Sequence, residues 1–335
     1  MVKRKYRLKI EDIVLLLIPL VFLLLLLKPA KEEVKTPPVR ETRDEDYTGA
    51  GVSIRVYQPR NSVIVEYDME EYLVGVVAAE MPPEFELEAL KAQAVAARTY
   101  AYGRMKGLYG NPSSHYGAAV CTDSTHCQAW ITRERFLEVY GDEEEWEKIR
   151  KAVYETKNKI ITYEDTVINP LYHSNSGGVT EDVEAVWAVS GEVPYLKSVY
   201  SPDESSYSDY EKRMLFSWDE IKSKVKNKYP DASFKSDASL DMEILSYTTS
   251  GRVMTLRIGS VTLAGTELRE LLGLRSTNFA LYFPSSESVE IVTEGYGHGV
   301  GMSQCGADAL AKEGYTYSEI LEYYYTGINV GEIGE

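Results

Sequence analysis

The sequence predicts an α+β fold: a mixed helical and β-rich core with a smaller inserted module, behind a single N-terminal membrane anchor. Strand-like and helix-like segments succeed one another from about residue 50 to the C-terminus. A second group of short strands lies within residues 201–290, and one long apolar run lies near the N-terminus. With 335 residues, 44% hydrophobic and 26% charged, the chain has the composition of a folded protein of about two domains.

The N-terminus is predicted to anchor the protein in the cell membrane by a single pass. Residues 1–12 form a basic cytoplasmic segment, 13–27 the anchor, 28–49 a flexible charged linker, and 50–335 the extracytoplasmic catalytic domain. The apolar run is shorter than the ~20 residues that a spanning helix needs. A cleaved signal peptide is the alternative, although no small-residue cleavage site follows the run.

Charge and cysteine content exclude two classes of protein. The formal net charge is −16, and because five basic residues and only two acids precede the apolar run, the rest of the chain is more acidic still, so nucleic acid is not an expected partner. Three cysteines are too few for a disulfide framework. The 26 tyrosines against seven phenylalanines indicate aromatic surfaces that keep a polar edge in water.

The core begins with a predicted hairpin over residues 52–56 and 62–67. Asp68, with Glu71 three residues on, is typical of a helix start, and Pro82 ends that helix. A second helix over residues 86–105 contains six alanines, which indicates close helix packing. Residues 133–158 are predicted to be helical, and residues 159–172 to form strands.

The inserted module at 201–290 is predicted to hold a helix near 218–226 and strands at 242–248 and 252–263. After it we expect a glycine-rich strand over residues 295–302 and a helix that ends at Gly314. Thr316 and Glu319 form a capping box for a last helix, which ends at Gly327.

Glu80 is the first candidate for chemistry. On a helix, Val76 and Val77 would lie beside it, which places its carboxylate on an apolar face. Burial there would raise its pKa and suit it to act as a general acid. The alternative is an ion pair with Arg98 of the next helix. Three acids that follow could pair with Glu80 as in a two-carboxylate glycosidase, but a solvated face is the favoured interpretation of Glu84, Glu86 and Glu88.

His115, Cys121, His126 and Cys127 lie within thirteen residues. Imidazole and thiolate are the usual ligands of tetrahedral zinc, and four of them make a closed structural site. A Cys121–Cys127 disulfide, natural outside the cytoplasm, is the alternative. The spacing favours zinc.

Two further segments are rich in polar or small residues. Glycine occupies every second position from Gly295 to Gly301, so a strand would place all four on one face and His298 on the other. His298 could contact substrate, act as a base or be a core histidine. In residues 172–178, Ser174 and Ser176 would share a face. With His173 and Asp182 a serine hydrolase is conceivable, but the nucleophile elbow is missing, and hydrogen bonding to sugar hydroxyls is more economical.

Together these segments resemble the stage II sporulation protein D family. The likeness is carried by V-V-A-A-E-M-P (76–82), A-L-K-A-Q-A-V-A-A-R-T-Y-A (89–101), H-S-N-S-G-G (173–178), T-T-S-G-R-V (248–253) and G-Y-G-H-G-V-G-M-S-Q (295–304). It covers the chain from about residue 50 to the end. One departure is Cys305, where the family usually has an aromatic residue; we expect it to pack as a small hydrophobe.

The resemblance implies a lytic transglycosylase that cleaves peptidoglycan glycan strands without stem peptides during engulfment in sporulation. Its acid falls on Glu80, which would cleave the bond between N-acetylmuramic acid and N-acetylglucosamine and leave a 1,6-anhydro product. The expected substrate-binding residues are Arg98, Tyr172, Ser174, Ser176, Gly177, His298 and Gln304.

The resemblance also implies a cofactor and partners. Some family members hold zinc with two Cys and two His, which supports zinc at the cluster described above. The implied partners are a cell-wall amidase or endopeptidase like stage II sporulation protein P and a polytopic membrane protein like stage II sporulation protein M. The alternative function is a non-catalytic glycan-binding module that recruits or enhances an amidase.

Overall fold

The computed structural model describes residues 37–41, 51–110, 113–187 and 192–334. The predicted cytoplasmic segment, the anchor and most of the linker lie outside these residues. Within those ranges, no helix combines the length and the apolarity that crossing a bilayer requires. The chain divides into Met1–Pro37 and Pro38–Glu335, and the elements given below all belong to the second unit.

The first sheet contains the predicted hairpin. Strands β1 (Val39–Glu41), β2 (Ser53–Gln58), β3 (Val63–Asp68) and β4 (Val120–Cys121) pair in the order β1-β3-β2-β4, and β2 and β3 are antiparallel. Asp68 then caps helix α1 (Met69–Glu80), because its carboxylate accepts the N–H groups of Glu70 and Glu71 at 2.9 and 3.4 Å. The hairpin and the helix start are as predicted.

The main core is built around helix α2 (Leu87–Met105). Its six alanines are fully buried, which confirms the close packing predicted for them: they are Ala89, Ala92, Ala94, Ala96, Ala97 and Ala101. Two helices, α3 (Arg133–Tyr140) and α4 (Glu143–Glu155), replace the single predicted helical stretch. They separate at Gly141, whose φ of 70° ends α3 in the left-handed conformation.

Short strands connect the helices to the cleft described below. They are β5 (Lys159–Tyr163), β6 (Thr166–Val167) and β7 (Tyr172–His173), and a short helix α5 (Val183–Val186) follows. β5 lies between β6 and the C-terminal strand.

A second hydrophobic core lies within the part of the chain predicted as an inserted module. Its elements are β8 (Glu211–Ser217), α6 (Trp218–Lys228), β9 (Met242–Tyr247), β10 (Val253–Ile258), β11 (Val261–Ala264), α7 (Gly265–Leu272), β12 (Phe279–Ser285) and β13 (Ser288–Glu294). They form two three-stranded sheets, β11-β10-β9 and β12-β13-β8. The side chains between the sheets and helices, from Phe216 to Ile291, form a buried cluster of their own.

The C-terminal part returns to the main core. Strand β14 (Met302–Ser303) pairs in parallel with β7, and helices α8 (Gln304–Lys312) and α9 (Tyr317–Tyr324) follow, before strand β15 (Asn329–Glu332). Thr316 and Glu319 form the predicted capping box at the start of α9.

The prediction of a glycine-rich strand over residues 295–302 is wrong. Gly295, Gly297, Gly299 and Gly301 all have positive φ, at 78°, 120°, 85° and 72°. A strand needs negative φ, so the segment follows an irregular path that residues with a side chain rarely adopt. Space is also restricted, since a Cβ on Gly301 would lie 2.0 Å from the Leu171 carbonyl oxygen. The repeated glycines therefore allow the backbone to adopt positive φ angles and to pass close to β7.

Candidate active site

A cleft of about 840 Å³ lies where α1, β7, α8 and the glycine-rich segment come together. Five of the residues predicted to act on substrate line it: Glu80, Tyr172, Ser174, His298 and Gln304. Other elements contribute Phe85, Tyr100, Cys127, Tyr207, Asp209, Arg269 and Tyr296. The cleft therefore combines carboxylate, phenol and imidazole groups with aromatic rings, a lining suited to a sugar chain.

Glu80 is the last residue of α1, and it is half-buried in the cleft wall. Its Oε1 accepts the N–H of Ala129 at 2.6 Å, and the Tyr172 side chain also hydrogen-bonds its carboxylate. Burial raises the pKa of Glu80, and these two hydrogen bonds oppose the rise without cancelling it. The rise in pKa predicted from the sequence is therefore present, and burial is its cause.

A short chain of hydrogen bonds orients the groups beside Glu80. The Tyr72 hydroxyl donates to Gln128 Oε1 at 3.4 Å, and Gln128 Nε2 donates to the Tyr172 hydroxyl oxygen at 3.1 Å. Burial holds the pKa of Tyr172 well above its usual value, so the phenol keeps its proton. The Tyr172 hydroxyl can therefore donate a hydrogen bond to the carboxylate of Glu80. Gln128 was not identified from the sequence; its place directly after Cys127 was the available signal.

The neighbouring acids differ from Glu80 in their surroundings. Glu84 lines the cleft but is exposed, and Asp209 is paired with Arg275 at 3.0 Å. Glu88 pairs with Lys91 at 2.7 Å, outside the residues that line the cleft. Glu80 is therefore the lining carboxylate that combines partial burial with a raised pKa.

Arg98, predicted to bind substrate, does not line the cleft, and the alternative ion pair between Arg98 and Glu80 is not formed. Arg98 is fully buried and pairs with Glu70, with its Nε at 3.1 and 3.2 Å and its Nη2 at 2.5 Å from the carboxylate oxygens. The remaining donors reach the carbonyl oxygens of Val153 at 3.0 Å and Lys159 at 3.2 Å. Because these contacts occupy the guanidinium, Arg98 joins α1, α4 and β5 and has no access to a substrate.

Ser176 and Gly177 also lie outside the residues that line the cleft. The Ser176 hydroxyl donates to Glu204 at 2.5 Å, and Glu204 also accepts the Gly178 N–H at 2.8 Å and the Ser201 hydroxyl at 3.0 Å. Buried Glu204 therefore holds the turn that follows Ser174. Glu204 was not identified from the sequence, because two of these partners, Ser176 and Gly178, lie 28 and 26 residues away along the chain.

His298 lines the cleft as a neutral imidazole. Its Nδ1 accepts the Val300 N–H at 3.1 Å, and its ring packs against Trp187 with centroids 5.1 Å apart. Burial and the nearby charge of Arg269 lower the pKa of His298 to about 4.

A serine hydrolase is not supported by the contacts of His173. With His173 Nδ1 at 3.1 Å from the Val300 carbonyl oxygen, Nε2 would have to be the base, and this buried nitrogen contacts no serine hydroxyl among the described residues. The Ser176 hydroxyl donates to Glu204 instead.

The start of α8 completes this side of the cleft. Gln304 is 5% exposed, and its Nε2 donates to Gln93 Oε1 at 3.3 Å. Cys305 is equally buried, and burial raises the pKa of its thiol to about 12, so it stays neutral. Cys305 packs as the small apolar residue that the sequence predicts.

His115, Cys121, His126 and Cys127 form a compact cluster that could hold a metal ion, with their ligand atoms within 4.8 Å of one another. The two cysteines are free thiols, so the disulfide is not formed. The N···S distances are 3.5, 3.5 and 3.6 Å, and the two imidazole nitrogens are 2.9 Å apart. A tetrahedral zinc with bonds of about 2.3 Å to sulfur and 2.0–2.1 Å to nitrogen gives N···S separations of about 3.6 Å. The donor types and these three N···S separations therefore fit zinc.

The cluster is connected to the candidate acid through the main chain. Cys127 is both a cluster residue and part of the cleft wall. The next two residues are Gln128, which orients Tyr172, and Ala129, whose N–H binds Glu80. A ligand that fixes the loop at Cys127 therefore also fixes the Ala129 N–H that binds Glu80 and the Gln128 amide that orients Tyr172.

A family model and two similar proteins carry the same description, stage II sporulation protein. A family model described as "Stage II sporulation protein" matches residues 57–163. The chain is 36% identical over 306 residues to stage II sporulation protein D of Bacillus subtilis, covering 90% of this chain and 85% of the relative. It is 35% identical to the protein of that name in Bacillus amyloliquefaciens, covering 88% and 83%. An amidase enhancer of B. subtilis is 32% identical, covering 76% of this chain and 39% of the relative.

Proposed function

Because this chain belongs to the stage II sporulation protein D family, we propose that it is a peptidoglycan lytic transglycosylase that acts in sporulation, with Glu80 as its acid and base. The observation that carries the proposal is the setting of Glu80 in the cleft: a half-buried carboxylate with a raised pKa and two fixed donors. A lytic transglycosylase needs one carboxyl group, because no water has to be activated by a second one.

In the proposed reaction, protonated Glu80 donates its proton to the glycosidic oxygen that leaves as the hydroxyl of N-acetylglucosamine. The C1–O bond breaks, and positive charge develops at C1 of the muramic acid residue. Glu80, now a carboxylate, accepts the proton of the C6 hydroxyl of the same sugar as its oxygen bonds to C1. The product is a 1,6-anhydro end, and Glu80 is protonated again.

The surrounding residues of the chain support both states of Glu80. The Ala129 N–H and the Tyr172 hydroxyl stabilise the carboxylate after the first proton transfer. Burial favours the protonated form before it. Neutral His298 and Gln304 offer hydrogen bonds to sugar groups without adding charge.

We propose zinc as the ion of the His/Cys cluster. Four protein ligands leave no open position, so bound zinc would supply structure and no catalysis. The ligands His115, Cys121, His126 and Cys127 would then fix the loop that presents Gln128 and Ala129 to the cleft.

The proposal includes a location and partners. A single-pass anchor at residues 13–27 would hold the catalytic domain outside the cytoplasm, where the glycan strands are. An amidase or endopeptidase like stage II sporulation protein P would remove stem peptides before this enzyme acts. A polytopic protein like stage II sporulation protein M would keep the two enzymes together.

The test is mass spectrometry of glycan strands without stem peptides after incubation with the protein. Wild type should release fragments with 1,6-anhydromuramic ends, and Glu80→Gln should reduce their rate by at least about 10³-fold, since general acid–base catalysis is worth 10²–10⁴ per step. Glu84→Gln tests the two-carboxylate alternative, and Glu313→Gln, at an exposed site after α8, is the matched control. Full activity of Glu80→Gln, or hydrolytic products without the anhydro ring, would exclude the proposed mechanism.

The second candidate function is a non-catalytic glycan-binding module that enhances an amidase. The relative named amidase enhancer favours it. In that case wild type yields no anhydro product, whereas it accelerates the release of stem peptides when an amidase is added, and Glu80→Gln does so equally well.

A further inference from the structure

Arg269 is the only lysine or arginine among the described residues that line the cleft. It belongs to α7 of the second core, whereas Glu80 belongs to α1 of the main core. Its Nε donates to the Leu274 carbonyl oxygen at 3.3 Å. In the described part of the chain, its two terminal nitrogens have neither an ion-pair nor a hydrogen-bond partner.

This lack of a partner is unusual for its surroundings. The chain carries 52 acids against 36 basic residues, and the neighbouring Arg275 is paired with Asp209 at 3.0 Å and lies over the Tyr296 ring. Arg269 is half-buried, and burial lowers its pKa. Tyr296 and Glu270 oppose this shift through charge interactions alone, so the partly desolvated guanidinium still lacks a directly bonded anion among the described residues. A charge in that state is stabilised by an anionic ligand that completes its hydrogen bonds.

The proposed substrate has one group that matches this requirement. The acetamido and hydroxyl groups of the glycan are uncharged, but each muramic acid carries a lactyl ether at C3. While a stem peptide is attached, the lactyl carboxyl is an amide and has no charge. Once the peptide is removed, it is a carboxylate, which a guanidinium binds with two parallel hydrogen bonds.

We propose that Arg269 binds the free lactyl carboxylate of a muramic acid residue and so selects glycan strands whose stem peptides have been removed. The inference rests on the proposed function, since it concerns the substrate of the same cleft. An amide at this position leaves Arg269 without its partner, which disfavours the uncleaved strand even where the peptide itself would fit.

The experiment compares two forms of one oligosaccharide, with the lactyl groups as free carboxylates or as primary carboxamides. The carboxamide removes the charge without adding the bulk of a peptide. Binding is measured by calorimetry with full-length Glu80→Gln, so that no cleavage occurs, and with Arg269→Gln or Arg269→Lys added to it. The matched control is Arg257→Gln, which removes the same charge from an exposed pair with Glu243 outside the cleft lining.

With Arg269 intact, the carboxylate form should bind about 10-fold to 100-fold more tightly than the carboxamide, as expected for hydrogen bonds to a charged group. Arg269→Gln should reduce this ratio to about 1 by weakening only the carboxylate form, and Arg257→Gln should keep it. Arg269→Lys, which retains the charge but not the two-pronged geometry, should give an intermediate ratio.

Two results would overturn the inference: equal binding of both forms when Arg269 is present, or an unchanged preference in Arg269→Gln. If Arg269→Gln binds neither form, Arg269→Lys decides, and equal affinities in that variant also refute the proposal. The outcome is separate from that of the proposed function. Wild type that releases no anhydro product would refute the proposed catalysis, while the binding ratios would still show whether Arg269 reads the carboxylate.

Discussion

Replacing Arg98 by methionine should destabilise the fold and leave glycan binding by the folded protein unchanged. The resemblance to known relatives places Arg98 among the substrate-binding residues, whereas its side chain is fully buried against Glu70, which is 3% exposed. The two interpretations predict opposite results for the same variant. A substrate ligand would change affinity at constant stability, and a buried ion pair would change stability at constant affinity.

The size of the effect follows from the groups that lose their partner. Arg98→Met leaves the Glu70 carboxylate buried without a cation, which costs about 3–5 kcal/mol in comparable buried pairs. The carbonyl groups of Val153 and Lys159 lose a donor as well, and each buried acceptor left unsatisfied costs about 1–3 kcal/mol. These costs are not additive, so we expect a loss of about 4–6 kcal/mol in the free energy of unfolding. Adding Glu70→Gln should restore part of the loss, because no unpaired charge then remains.

The assay is urea unfolding followed by circular dichroism, with calorimetric binding of denuded glycan to the folded protein at low temperature. Arg133→Met is the control, because its pair with Glu143 is about half exposed on both sides and should contribute at most about 1 kcal/mol. A stability loss below 1 kcal/mol for Arg98→Met, together with a tenfold or greater loss of affinity, would refute the structural assignment of this residue.

Three further predictions concern the metal cluster, the acid and the glycine-rich segment. Removing the proposed zinc with a chelator should lower the unfolding temperature and make Cys121 and Cys127 reactive to alkylation, which mass spectrometry detects; thiols equally reactive before and after would contradict a metal site. Glu80 has a raised pKa in the folded state, so the folded protein binds this proton more tightly than the unfolded chain does. The resulting contribution to the free energy of unfolding is present below the unfolded pKa and is lost as the pH rises through the folded pKa. Glu80→Gln should therefore be more stable than wild type at pH 8, by about 1.4 kcal/mol for each unit of the rise, and the gain should disappear near pH 4 in urea titrations. Gly301→Ala should lower the free energy of unfolding by more than about 2 kcal/mol in urea titrations. Gly251→Ala, also at positive φ but with no atom within 4 Å of the new Cβ, should lower it by about 1 kcal/mol. Equal losses would mean that φ alone, and not the contact with Leu171, determines the effect.

Local structure could be predicted from the sequence where short-range rules decide it. Asp68 caps α1 because a carboxylate at that position reaches the free N–H groups of the first turn. Thr316 and Glu319 do the same for α9 in both directions. The raised pKa of Glu80 also followed from its apolar neighbours on the helix. In each case, the partners lie within one or two turns along the chain.

The partner of Arg98 could not be predicted, because it depends on how helices pack. Glu70 and Glu80 both belong to α1, and at 3.6 residues per turn their spacing places them about 80° apart around the helix axis. The sequence shows that an arginine on α2 has an acid within reach, but only the packing of α2 against α1 and α4 selects Glu70. The spacing of the glycines was misleading for a related reason: a period of two fits a strand, and it fits equally a backbone that enters the left-handed region at every second residue.

Some motif residues line the cleft, and others only hold the backbone in place. A motif match therefore does not by itself show that a given residue contacts substrate. Ser174 lines the cleft, while Ser176 of the same motif donates its hydroxyl to buried Glu204. Ser303, just before α8, donates to the same carboxylate, so one acid outside the quoted motifs joins two segments that are far apart in sequence. Arg269 lies outside every quoted motif and nevertheless supplies the cleft with its one described lysine or arginine charge. Motifs in this chain therefore point to the chemistry of the cleft, whereas the group that we propose to select the substrate becomes visible only when a helix of the second core is found to contribute to the cleft lining.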